Sequence, residues 1–145
     1  MNFREFLKQN IVILDGSTGT VLQSKGLKAG EKPETWNITH REEIIDLHKS
    51  YFDAGSNVVC TNTFGANLLN FPKDELEQII TAAVENAKMA REKSTATQPK
   101  YIALDIGPCG KLLKPLGDLD FEDAVKLFKA TVEIGFKCGV DLIRL

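Results

Sequence analysis

Four apolar runs recur along the chain at intervals of roughly forty residues, and this spacing constrains the fold more than any other feature. They are "IVILD" at 11–15, "NVVC" at 57–60, "YIALD" at 101–105 and "GVDLIRL" at 139–145. Runs without polar alternation suit strands covered on both faces, as parallel sheets require. The long intervals leave room for a helix and a loop after each strand, so the pattern predicts alternating strands and helices in a parallel α/β fold.

The segments between the runs carry helical periodicity. "THRE", from Thr39 to Glu42, has the form of a capping box and predicts a helix start, with Ile44, Leu47, His48, Tyr51 and Phe52 on one face and Gly55 as its stop. A second helix is expected over about 74–91, its face formed by Leu76, Ile79, Ile80, Ala83, Val84, Ala87 and Ala90, with 94–99 as a short linker. A third is expected over about 120–137, with Phe121, Val125, Phe128 and Val132 as its stripe. "DAGSNVV" at 53–59 and "KCGVDLI" at 137–143 echo each other, which supports a repeating unit.

The first run ends in "ILDGSTGT" at 13–20, a loop spaced by glycines. It is not a Walker loop, because Gly19 is followed by Thr20 rather than lysine, and it lacks the G-x-G-x-x-G spacing of a dinucleotide site. Asp15 also argues against a phosphate, since a carboxylate at the strand end repels an anion. It suits an ammonium group or a hydrogen-bond donor; the plain alternative is a strand-to-helix turn without a ligand.

Acidic and basic side chains, 20 against 18, are spread along the chain, giving a formal charge of −2 and no basic stripe for nucleic acid. No run approaches the roughly 18–20 apolar residues of a membrane span, and the N-terminus lacks a long apolar leader segment. The expectation is a cytoplasmic protein with no nucleic-acid or membrane partner. Cys60, Cys109 and Cys138 are odd in number and show no C-x-x-C spacing, so each is read as a buried free thiol in a reducing compartment. Cys109, after Pro108 in a glycine-rich loop, keeps a lesser claim to a metal or reactive role.

The strand ends fall at Asp15, at Thr61 and Asn62, and at Asp105, so the polar residues gather on one edge of the sheet, where α/β folds place ligands. An open sheet and a closed barrel both satisfy the pattern. The chain stops inside an apolar strand at Leu145, which would leave an unfinished sheet edge. The expectation is therefore about four βα units over residues 1–145, the first half of a (β/α)8 TIM-type barrel with parallel strands and outer helices.

"ILDGSTGT", "AGSNVVCTNTFGA" and "DIGPCG", in that order, resemble the homocysteine-binding domain of the homocysteine S-methyltransferases, from about residue 10 to the end. The resemblance implies a barrel that transfers a methyl group to the thiolate of homocysteine, forming methionine. It implies that Asp15 and Gly16 help hold the amino-acid part of the substrate. By position, Thr61, Asn62, Thr63, Asp105 and Gly107 line the same mouth. It also implies a catalytic zinc held by three cysteines of later strands, none of which matches Cys60, Cys109 or Cys138. A strand-four glutamate of the family would fall one position after Leu145. No catalytic residue is therefore assigned within the chain, which is expected to be inactive alone. Cobalamin and methyltetrahydrofolate would enter through other domains, and the open sheet edges leave room for self-association.

Two other readings fit the residues: a non-catalytic half-barrel that binds or associates, and an unrelated barrel enzyme sharing only the architecture. Elsewhere, His48 is expected to be packed and hydrogen-bonded in the core, and His40 solvated. Trp36 is either a lid over the site or an anchor for its loop. Lys111 and Lys114 are read as an ordinary exposed loop.

Overall fold

The computed structural model describes residues 1–145. Three parallel strands, β1 (Val58–Cys60), β2 (Tyr101–Asp105) and β3 (Leu142–Arg144), form a sheet in chain order. Cys60 stands beside Ala103 and Ala103 beside Leu142, and Asp105 pairs with Arg144 two residues further on.

The first apolar run joins the sheet only through a parallel bridge from Leu14 to Val58, held by Asp15 N–H donating to Val58 O (2.9 Å) and Val58 N–H to Ile13 O (3.1 Å). The next amide in line, that of Cys60, donates to the Asp15 carboxylate (2.8 Å), which ends the ladder. The expectation of a strand covered on both faces fails here: Val12 packs with the Phe6 cluster, but Ile11 is 89% exposed and Ile13 55%, because no helix packs on the face they present.

Helices surround this sheet. They are α1 (Phe3–Gln9), α2 (Gly19–Ser24), α3 (Trp36–Thr39, after a 3₁₀ turn at Pro33–Thr35), α4 (Arg41–Asp53), α5 (Lys73–Lys93) and α6 (Phe121–Lys137). On one face of the sheet Val59 and Ile102 pack with Ile45 and Phe52 of α4 and with Ala87 and Ala90 of α5. Leu104 and Ile106 pack with Leu76, Ile79, Ile80 and Val84 of α5, and Phe128 and Val132 of α6 lie against them. On the other face Val58, Cys60, Tyr101 and Ala103 meet Phe6 of α1. No helix is long and apolar enough to cross a membrane.

Three local expectations are corrected. The capping box at Thr39 does not form: Thr39 lies in α3, its hydroxyl donates back to Thr35 O (3.2 Å), and α4 starts after His40 without a side-chain cap. The stripe of α6 holds only in its second half: Phe128 and Val132 pack against the core, while the buried face runs through Ala124, Thr131 and Gly135 and leaves Phe121 68% and Val125 42% exposed. Close approach decides this, because a Cβ on Gly135 would come within 2.5 Å of Leu104 Cδ2. His48 is fully buried as expected, yet neither ring nitrogen has a hydrogen-bond partner.

The sequence echo has a structural counterpart. Asn57 N–H donates to Ile13 O (2.7 Å) while its side-chain oxygen accepts from Ile13 N–H (3.1 Å). Asp141 treats Ile102 in the same way, at 2.9 and 2.8 Å. In both copies the residue before the strand closes a ring with its neighbour and fixes the register. A glycine with positive φ, Gly55 or Gly139, stands two positions earlier.

Candidate functional site

At the carboxyl ends of the strands lies a cavity of about 560 Å³ lined mostly by polar, charged and glycine residues. Asp15, Gly16, Asn62 and Asp105, all expected there from sequence, line it. Asp15 is fixed by the Cys60 amide, which leaves its other oxygen free of that bond. Burial raises the proton affinity of this carboxyl, and the hydrogen bond from Cys60 opposes the rise. The loop that follows is pinned from outside, since Tyr51 Oη donates to Ser17 O (2.6 Å) and a Cβ on Gly16 would press that same hydroxyl at 3.0 Å.

Thr61 and Thr63 are buried and do not line the cavity, contrary to the expectation by position. Their hydroxyls are committed to β2: Asp105 N–H donates to Thr61 Oγ1 (3.2 Å), Thr63 Oγ1 donates to Asp105 O (2.7 Å), and the two hydroxyls meet at 2.7 Å. They hold Asp105 in place from beneath. Gly107 also lies outside the lining. Its amide donates to Phe64 O (3.1 Å), and a Cβ there would meet that oxygen at 2.4 Å, so only glycine lets the two loops touch.

Asn62 works through its amide, which donates to Pro33 O (2.8 Å) and Asn37 Oδ1 (3.1 Å), while Asn37 Nδ2 returns a bond to Asn62 O (2.8 Å). This exchange draws the 33–37 segment to the rim. It brings in Glu34, a residue the sequence reading missed, which is 5% exposed and accepts the Gly65 amide (2.6 Å). Trp36 is the anchor of this segment rather than a lid: it is 2% exposed, packs with Leu22, Leu27, Ile44 and Leu47, and donates to Glu31 (2.9 Å). His40, on the surface, stacks on its ring at 3.9 Å.

Asp105 and Arg144 close the far side, with Nη1 3.4 Å from the Asp105 carboxylate and 3.7 Å from Cys60 Sγ. Burial raises the proton affinity of Asp105, and the Arg144 charge opposes it. Arg144 was also missed; its signal was a lone cation inside the apolar run of strand four. Cys60, read from sequence as a buried thiol, lines the cavity as well. Burial first, and then the Asp15 charge, push its thiol up to about 12, so it is neutral at neutral pH and is not an activated nucleophile. Cys109 and Cys138 are half-buried rather than buried, and all three cysteines are free. Cys138 caps α6 at the opposite end of the sheet. No three side chains of ligand type converge as a metal centre.

The profile of the family "Homocysteine S-methyltransferase" matches residues 12–145. Methionine synthase of Mycobacterium leprae is 31% identical, the match covering 81% of this chain and 10% of that protein. Homocysteine S-methyltransferase of Escherichia coli is 28% identical, covering 94% of this chain and 49% of the enzyme. The chain thus spans half or less of these relatives. Among solved structures, the oxidized form of the Escherichia coli homocysteine methyltransferase MmuM superposes with a TM-score of 0.82 at 22% identity, covering 97% of this chain and 54% of that one. Its metallated form gives 0.81 at 21% identity, covering 97% and 55%. With nearly all of its length inside the family profile, the chain belongs to the homocysteine S-methyltransferase family.

Proposed function

We propose that this chain is the first half of a (β/α)8 barrel in a zinc-dependent methyltransferase that moves a methyl group to the homocysteine thiolate, forming methionine, and that its cavity holds the amino-acid part of homocysteine. The carrying observation is the convergence of Asp15 and Asp105, from adjacent parts of one sheet edge, on a single polar cavity beside a glycine loop. Two carboxylates in a half-buried site favour an ammonium group, because each charge is stronger there than in water. The match to about half of MmuM supports a partial barrel.

The residues present do not fit a zinc centre. Cys138 lies at the other end of the sheet from Cys60, and no three side chains of ligand type come together. This chain's part in the reaction is to orient the substrate: Asp15 and Asp105 face its ammonium group, and Asn62 and Glu34 hold the rim. Cobalamin and methyltetrahydrofolate enter, on this reading, through other domains.

The test is methionine formation by the complete natural protein, supplied with methylcobalamin, a sulfonium donor or betaine. Asp15→Asn should lower kcat/KM by about 10- to 100-fold, chiefly through KM, as expected when a charged hydrogen bond to substrate is lost. A zinc-loaded protein that forms no methionine with any of the three donors contradicts the proposal.

A further inference from the structure

The cavity wall contains three carboxylates, those of Asp15, Glu34 and Asp105, and a single cation, Arg144. An amino-acid substrate brings one charge of each sign, so the wall offers several partners for its ammonium group and one for its carboxylate. We infer that Arg144 anchors the substrate carboxylate and is the residue by which this site selects an α-amino acid over a simple amine. The inference rests on the homocysteine reading and goes beyond it by assigning the opposite end of the substrate.

The register supports the assignment. Arg144 pairs with Asp105, two positions beyond the Cys60, Ala103 and Leu142 row. That row belongs to the sheet face that packs against Phe6, and alternation along the strand puts Arg144 on the same face, over the cavity floor formed by Cys60. Its side chain is 54% exposed, and its contact with Asp105 at 3.4 Å is longer than the 2.7–2.9 Å of a strong charged hydrogen bond. The guanidinium therefore has donors to spare. Arginine presents them as a planar fork that matches a carboxylate, while Asp15, on the other side of Cys60 and without a contact to Arg144, remains for the ammonium group together with the Asp105 oxygen that Arg144 does not meet.

Calorimetry on the intact protein, with Arg144→Gln and Arg144→Lys, tests this against three ligands: L-homocysteine, L-2-aminobutyrate, which lacks the thiol, and 3-aminopropane-1-thiol, which lacks the carboxylate. Arg144→Gln should weaken L-homocysteine by about 10- to 100-fold and leave 3-aminopropane-1-thiol within about twofold, with Arg144→Lys between the two. Equal losses for both ligands, no loss for either, or wild-type binding of 3-aminopropane-1-thiol as tight as that of L-homocysteine would overturn the anchor. Arg144-dependent binding of L-2-aminobutyrate with no preference for L-homocysteine keeps the anchor and removes the homocysteine reading. No binding of any of the three overturns both.

Discussion

Asp15 meets the chain and the cavity with one carboxylate, so two substitutions separate its roles. Asp15→Ala leaves the Cys60 amide without its acceptor and should cost about 1–3 kcal/mol in urea unfolding, whereas Asp15→Asn keeps an acceptor oxygen and should cost less. Equal costs would show that the charge, not the hydrogen bond, holds the strand end. His48 gives a pH signature. Its folded pKa is lowered to about 4 by burial from an ordinary 6.5, so above pH 6.5 the ring is neutral in both states and nothing is lost. As pH falls from 6.5 toward 4 the unfolded chain alone takes the proton, and the loss grows to about 3 kcal/mol. Asp15 and Asp105, with raised proton affinity when folded, act with the opposite sign at the acid end. The isolating comparison is therefore His48→Leu, which should unfold less readily than wild type at pH 5 relative to pH 7; parallel pH profiles would refute the neutral, unpartnered ring.

At the scale of elements, Thr39→Ala should change stability by less than about 0.5 kcal/mol, since the capping bond it would remove does not exist; a loss of 1 kcal/mol or more in thermal or urea unfolding would restore the capping box. This case shows where the sequence misleads. The motif was present, but the four-residue helix before it took Thr39 into its own turn. The α6 stripe was right at Phe128 and Val132 and wrong at Phe121 and Val125 for another reason: periodicity weighs large apolar residues, while close contact with Leu104 selects the face of Ala124 and Gly135. Strand positions, the stop at Gly55 and the 73–93 helix were legible because apolar runs and glycine punctuation act locally. Glu34 and Arg144 were not. Each reaches the cavity through a long-range pairing, Asn62 with Asn37 in one case and β2 with β3 in the other, and only Arg144, a lone cation in an apolar run, left a local trace.

For the whole molecule, the sheet has an uncovered edge on each side. Ile11 and Ile13 are exposed along one, and Ile143 and Leu145, at 44% and 93%, along the other. Unpaired apolar edges invite pairing with another chain. The 145-residue chain studied alone should therefore sediment as dimers or larger species, and Ile13→Lys should shift it toward monomer; a monomeric wild type would show that these edges do not associate. The order of strands, the strand-end site and the gathering of Asp15 and Asp105 follow from one repeated unit, and the proposed substrate follows from the charges that unit brings together. The most direct measurement is calorimetric titration of the complete natural protein and its Asp15→Asn variant with L-homocysteine. The account predicts saturable binding to the wild type and at least a tenfold loss in a variant of unchanged far-ultraviolet circular dichroism; absence of binding, or equal affinity in both proteins, would contradict it.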